Sequence, residues 1–392
     1  MMKKFLVLGG AIVLLVGLIY GKKFLIIYKS MNAFSEKNIS KSFKIMYKIQ
    51  PSKKILKGEN VYKFHKNVSD LISEFEFKNK ILKTEEFLND TKTTGLLVLK
   101  GDEIKFEKYF MDSNEETLFS SNSICKSFVS ALVGIAINEG KIQSVDDSIA
   151  KYINEFKGTD LEEVTIKDCL TMRSGINFDE EKDVKTISIK NLMGFSKMKL
   201  ISKLGLSHDP NTITNYSSIN TDVLGEIVSR STKKSLSQYM EEKIWKNIGA
   251  EQDSYWTLSN KKELANGGLN ISLRDYAKFG KMYLDGGKFN GKQIVPLNWV
   301  NDSIQNYDNS KKFLGYGYQF WIPKGNEKEF MAIGVFGQWI YINPKKDIVI
   351  VKTGADLEFE NDDKEQKTLK FFREISNSIS EGNLWWIEIK FC

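Results

Sequence analysis

Histidine, cysteine and proline are all scarce in this chain of 392 residues, at two, three and five. His65 and His208 stand far apart, with no cysteine or acidic cluster beside either, which argues against a histidine-based metal site. Two histidines leave a Ser-His-Asp triad open by count, but no G-x-S-x-G elbow is present to carry its serine. Both histidines read as ordinary surface or loop residues. Cys125, Cys169 and Cys392 do not make a disulfide framework and read as free thiols. A basic body is lacking too. Residues 1–60 hold twelve lysines, no arginine and two acids, Glu36 and Glu59, against a net charge of +7 for the whole chain, so the remainder is slightly acidic. Such a body has no electrostatic footprint for nucleic acid. The basic arm instead suits an anionic membrane surface.

What is present is a globular composition, 41% hydrophobic and 27% charged, in a chain long enough for one large core or two smaller ones. The N-terminus opens with Met1-Met2-Lys3-Lys4 and an apolar run from Phe5 to Tyr20, followed by Lys22, Lys23 and a second apolar stretch from Phe24 to Tyr28. This is either a signal peptide or a membrane anchor. No small-x-small cleavage site follows Tyr20, which favours an uncleaved anchor over residues 1–30. Lysines flank the run on both sides, and a strict positive-inside count leaves the body cytoplasmic. Residues 31–60 are polar and lysine-rich without clear period, and read as a basic linker.

Ser123-Ile124-Cys125-Lys126 is the most informative tetrad. A hydroxyl and an amine three residues apart share one face of a helix. A buried lysine can lose its proton, and a neutral amine can activate a serine. The spacing alone is not specific: S-x-x-K also occurs at Ser148, Ser196, Ser231 and Ser259. Context selects Ser123. Ser120, Ser121 and Asn122 supply helix-start chemistry, Ile124 to Ile137 is apolar almost all round, and Gly140 ends the helix. Lys126 is the one charge in that stretch before Glu139. Charges are almost never buried without a partner or a task. The bland alternative is a lysine that snorkels to the surface.

Along the chain, Thr94–Lys100 and Ile104–Phe110 read as a hairpin through Gly101-Asp102-Glu103. Helices are expected over Thr165–Met172, Ser218–Arg230, Ser235–Ile248, from a Ser272 cap to Tyr283, and over Asp363–Ile379. Two late strands, Gly337–Ile342 and Ile348–Lys352, flank an Asn343–Asp347 turn. Strands at both ends and helices between them make an α+β fold with a helical insertion. The apolar tail at Leu384-Trp385-Trp386-Ile387 fits no element.

These segments together resemble the serine β-lactamase and penicillin-binding-protein superfamily, in its class C-like branch of esterases and 6-aminohexanoate-dimer hydrolases. TTGLLVLKGDEIKFEKYF, SSNSICKSFVSALVGIAINEGKI, TIKDCLTMRSGI, NYSSINTDVLGEIV, ANGGLNISLRDYAKFGKMYLDGG, QIVPLNWV, YGYQFW and GVFGQWIYINP carry the resemblance, in family order. It implies a β-lactamase/transpeptidase-like fold over 61–382, with an antiparallel sheet flanked by helices. The α/β part would span about 61–150 and 262–382, the helical part about 151–261, and 383–392 would be a tail. It implies Ser123 as nucleophile, Lys126 as its base and Tyr216 as proton relay, with no cofactor and no metal. The backbone N–H groups of Ser123 and Val335 would form the oxyanion hole, and Ser218, Gly334 and Gly337 would line the substrate. Ser218 stands where class C enzymes have asparagine, and Lys352-Thr353-Gly354, though it spells K-T-G, lies one strand too late. Those departures favour an ester or small linear amide as substrate over cell-wall peptides or β-lactams. A catalytically idle scaffold is a third reading, disfavoured by the joint presence of Ser123, Lys126 and Tyr216. The resemblance also implies a catalytic domain outside the cytoplasm.

Overall fold

The computed structural model describes residue 21 and residues 23–381, except 309, 311, 326, 327 and 360. In chain order its strands include β1 (Ser52–Ile55), β2 (His65–Lys66), β3 (Thr93–Lys100), β4 (Glu103–Tyr109), β5 (Leu118–Ser120), β6 (Ser254–Ser259) and β7 (Leu269–Ser272). They continue with β8 (Leu314–Tyr316), β9 (Trp321–Pro323), β10 (Phe330–Gly334), β11 (Gln338–Asn343) and β12 (Ile348–Gly354). The principal helices are α1 (Thr84–Asp90), α2 (Cys125–Asn138), α3 (Asp183–Leu192), α4 (Ser218–Thr232), α5 (Leu273–Leu284) and α6 (Asp362–Glu381). The large sheet runs β8-β9-β10-β11-β12-β3-β4-β2, antiparallel except for the β4–β2 edge. A smaller antiparallel sheet runs β1-β6-β7-β5. Between β5 and β6 the described chain forms helices, turns and two isolated bridges; the helical part expected over about 151–261 falls largely within this stretch, but its end is strand β6.

Strand alternation divides the core into two layers. Val349 and Val351 of β12 face the main core with α2 and α5, while Ile348 and Ile350 face an outer layer closed by Phe371, Phe372 and Ile375 of α6. Full burial of such a side chain is worth about 1.5–3 kcal/mol. Phe128 of α2 stacks on Phe279 of α5 with centroids 3.7 Å apart. On α5, a Cβ at Gly280 would lie 2.6 Å from Val349 Cγ1, so the helix rests directly on the sheet.

Two expectations change. Residues 31–60 are not a free linker. Ile39, Phe43 and Met46 are buried against Ala355, and β1 pairs with β6. They sit on two short helices, Ile39–Ser42 and Met46–Ile49, and the turn between them, among surrounding lysines. Ser235–Ile248 is not one α-helix: a turn over Leu236–Met240 gives way to a π-helical turn over Glu241–Trp245. Among the described residues no helix is long and apolar enough to cross a membrane, and the expected run at 5–20 lies outside them, as does the 383–392 tail.

Candidate active site

Ser123 lies in a 3₁₀ turn, Asn122–Ile124, that leads straight into α2. The expected side-chain caps are absent; backbone contacts fix the turn instead. The Ser120 N–H donates to the Phe43 carbonyl (3.0 Å) and the Ser121 N–H to the Leu269 carbonyl (2.8 Å). Asn122 takes a left-handed φ of 45°, and its Nδ2 donates to the Val335 carbonyl at 2.9 Å. Strained backbone of this kind persists only where its surroundings over-determine it.

Lys126 is buried, with 2% of its surface exposed. Its Nζ donates to Ser123 Oγ at 2.9 Å and to the Asn266 carbonyl at 2.8 Å, and lies 5.3 Å from the centre of the Tyr216 ring. The partners are a hydroxyl, a carbonyl and a ring face, and none is a carboxylate. The snorkelling alternative is therefore set aside. Neighbouring Cys125 is no rival nucleophile, because burial pushes its thiol up to about 12.

Tyr216 is half-buried, stacked on Trp321 (5.4 Å) and edge-on to Tyr316 (6.0 Å). Met172, itself at a φ of 57°, pins its loop. The Met172 carbonyl accepts from Asn215 N–H (2.8 Å), and its sulfur accepts from Ser217 N–H (3.4 Å). Ser218 meets Glu180. Its N–H donates to Glu180 Oε2 at 2.7 Å and its hydroxyl to Oε1, so Glu180 from the insertion caps α4. Ser218 thus ties α4 to the Glu180 segment.

Gly334 ends β10 against the serine turn. A Cβ there would sit 2.6 Å from the Ser121 carbonyl oxygen and 3.1 Å from Ser123 N. Only glycine permits that approach. Val335-Phe336-Gly337 then turns into β11, with φ of 68° at Phe336 and 88° at Gly337. Gln338, buried, ties the turn down through Nε2 bonds to the Phe336 and Gly354 carbonyls. Ser123, Lys126, Tyr216, Gly334 and Val335 therefore converge.

Lys352-Thr353-Gly354 lies on β12 against the far end of this turn, with Lys352 Nζ 3.5 Å from where a Gly337 Cβ would lie. Lys352 pairs in register with Trp339 on the outer face of the sheet, whose ring meets Phe372 of α6. Its amine sits near Asp356, Lys364 and Thr368. Burial pushes it down to about 7 from the ordinary 10.5, with Lys364 adding to the fall and Asp356 opposing it. Between about 7 and 10.5 the unfolded chain then holds a proton the folded chain has lost, so stability rises with pH over that range. Below about 7 the full burial penalty is present. Lys352→Met is expected to be the more stable protein at pH 6, by an advantage that shrinks towards pH 9 in urea titrations. An advantage independent of pH would contradict this.

Asp222 and Glu180 escape a reading of the sequence. Asp222 on α4 accepts from Asn266 Nδ2 at 3.1 Å and pairs with Lys197 at 2.8 Å. It thereby braces the residue whose carbonyl holds Lys126. The signal was available: Asp222 is a charge amid the apolar Ile219, Val223, Leu224 and Ile227, the same anomaly that marks Lys126. Glu180 carried no such mark.

Residues 83–371 match the model of the family described as Beta-lactamase. A 6-aminohexanoate-dimer hydrolase of Paenarthrobacter ureafaciens is 26% identical over 295 residues, 69% of this chain and 74% of its own. Among solved structures, a Bacillus anthracis protein provisionally named a 6-aminohexanoate-dimer hydrolase superposes with a TM-score of 0.79 at 23% identity, covering 89% of this chain and 95% of that one. A family VIII carboxylesterase superposes with a TM-score of 0.59 at 18% identity, over 70% of this chain and 90% of its own.

Proposed function

The chain belongs to the beta-lactamase family, and on that premise we propose that it cleaves an ester or small linear amide through an acyl-serine intermediate. One observation carries the reading: the 2.9 Å bond between Ser123 Oγ and a buried Lys126 that has no carboxylate among its partners. Lys126 takes the hydroxyl proton as Oγ attacks the substrate carbonyl carbon. The carbonyl oxygen becomes an oxyanion, received by the N–H groups of Ser123 and Val335. The tetrahedral intermediate collapses, and Tyr216 relays a proton from Lys126 to the leaving alcohol or amine. Water then attacks the acyl-serine in the same geometry, releasing the acid and restoring Ser123. The aromatic wall of Tyr216, Tyr316 and Trp321 suits an apolar acyl or alkyl group. The position of Lys352 on the outer face counts against a penicillin-type substrate.

A short-chain nitrophenyl ester tests this directly. The expected result is a burst of nitrophenol, about one per active chain, followed by slower turnover. Absence of both burst and turnover across ester and amide series, in folded protein, would sink the reading. Gly334→Ala forces Cβ onto two backbone atoms that cannot swing away. A displaced turn is expected to lower kcat about 10- to 100-fold; an unchanged kcat would contradict the placement of the oxyanion hole.

Anchoring at a membrane, with this domain outside the cytoplasm, is proposed as well. Phe24, Leu25, Tyr28 and Met31 are exposed along the helical segment that follows the apolar run. The full chain should sediment with membranes and resist carbonate, and release into the wash would refute the anchor.

A further inference from the structure

The N-terminal arm lies outside the matched family region, yet it touches both halves of the site. The Phe43 carbonyl accepts the N–H of Ser120, three residues before the nucleophile. The Phe43 ring, 3% exposed, meets the Phe336 ring edge-on at 5.2 Å. Phe34 closes the cluster, 5.6 Å from Phe43 and 5.8 Å from Phe336, and Phe359 lies 5.8 Å from Phe336 on another side. Phe336 needs this support. A bulky residue in the left-handed region is an outlier that its own backbone preference opposes. Its carbonyl is held by Asp356 N–H (3.2 Å) and Gln338 Nε2 (3.2 Å), but those bonds do not fix the ring. The ring is fixed by the arm's phenylalanines and Phe359.

We propose that Phe43, carried by the N-terminal arm, is a positioning residue for the Val335-Phe336-Gly337 turn, and that the arm thereby sets the backbone donor facing the developing oxyanion. This rests on the acyl-serine reading above. Phe43 touches no substrate; it acts through Phe336. The catalytic geometry of this chain then depends on a segment that its family region does not include, and trimming the chain to residue 61 would cost activity.

The test compares the full wild-type chain with Phe43→Ala, Phe43→Leu and Phe34→Ala, by steady-state ester kinetics and by amide hydrogen exchange. Phe43→Ala is expected to lower kcat about 10- to 100-fold with KM little changed, as a misplaced donor does. Phe43→Leu should restore most of it. Exchange should quicken at residues 335–338 and stay unchanged through α2. If Phe43→Ala does not fold, Phe34→Ala decides: its side chain is 40% exposed, so its loss does not hollow the core. A kcat drop of about threefold or more, with faster exchange at the turn, is then expected. Unchanged kcat and unchanged turn exchange in a folded variant would overturn the proposal. A wild type inactive on every ester overturns the acyl-serine reading instead, and exchange at 335–338 still decides whether the arm holds the turn.

Discussion

Ser123→Ala is expected to abolish ester turnover, lowering kcat by about 10⁴-fold or more while the fold is kept. The side chain is small and half-buried, and among the described residues its hydroxyl bonds to the Lys126 amine. Removing it takes away the nucleophile and one of the hydrogen bonds of Lys126, which keeps its bond to the Asn266 carbonyl. Thermal unfolding should therefore shift little, since one such bond contributes about 1 kcal/mol. Residual activity near that of the wild type would mean that another group attacks. Cys125 is adjacent, but its raised thiol and full burial disqualify it.

Lys126→Met should separate catalysis from stability. The substitution removes the base and roughly preserves volume. Loss of general base catalysis typically costs about 10²–10⁴-fold, so kcat/KM should fall at least that far. Stability is expected to hold or rise, because no carboxylate is left behind as an unpaired partner and a buried polar amine gives way to an apolar group of similar volume. A lysine kept for structure would give the opposite pattern, with lost stability and retained turnover. Lys126→Ala should go further and open a space where a small primary amine, added to the buffer, restores part of the activity. Neither outcome depends on the natural substrate.

The two residues that carry most of this were legible for one reason. A charge inside an otherwise apolar helix is anomalous, and Lys126 is such a charge, three residues from a serine at the helix start. Tyr216 had no local mark, and only the resemblance of its neighbourhood singled it out. The strands β3, β4, β11 and β12 were readable because apolar runs are broken by clear turn residues such as Gly101-Asp102 and Asn343-Pro344. The K-T-G at Lys352 misleads as a string, but its position after the Asn343-Pro344 turn gave it away, and the register with Trp339 places its amine in the outer layer. What escaped was long-range. Glu180 reaches Ser218 across 38 residues, and nothing local records that meeting. The arm is hard to read from sequence because lysines surround Ile39, Phe43 and Met46, which are nevertheless buried in one cluster. The π-helical turn at Glu241–Trp245 was invisible for a related reason, since a one-residue change in hydrogen-bond register leaves composition and rough periodicity unaltered.

Labelling the full chain with a fluorophosphonate and locating the adduct by mass spectrometry tests the central claim most directly. The reagent reacts only with an activated serine. The account predicts a single adduct on Ser123, formed in the wild type and lost in Lys126→Met at the same exposure. An unlabelled Ser123 in folded protein, or equal labelling without Lys126, would contradict it.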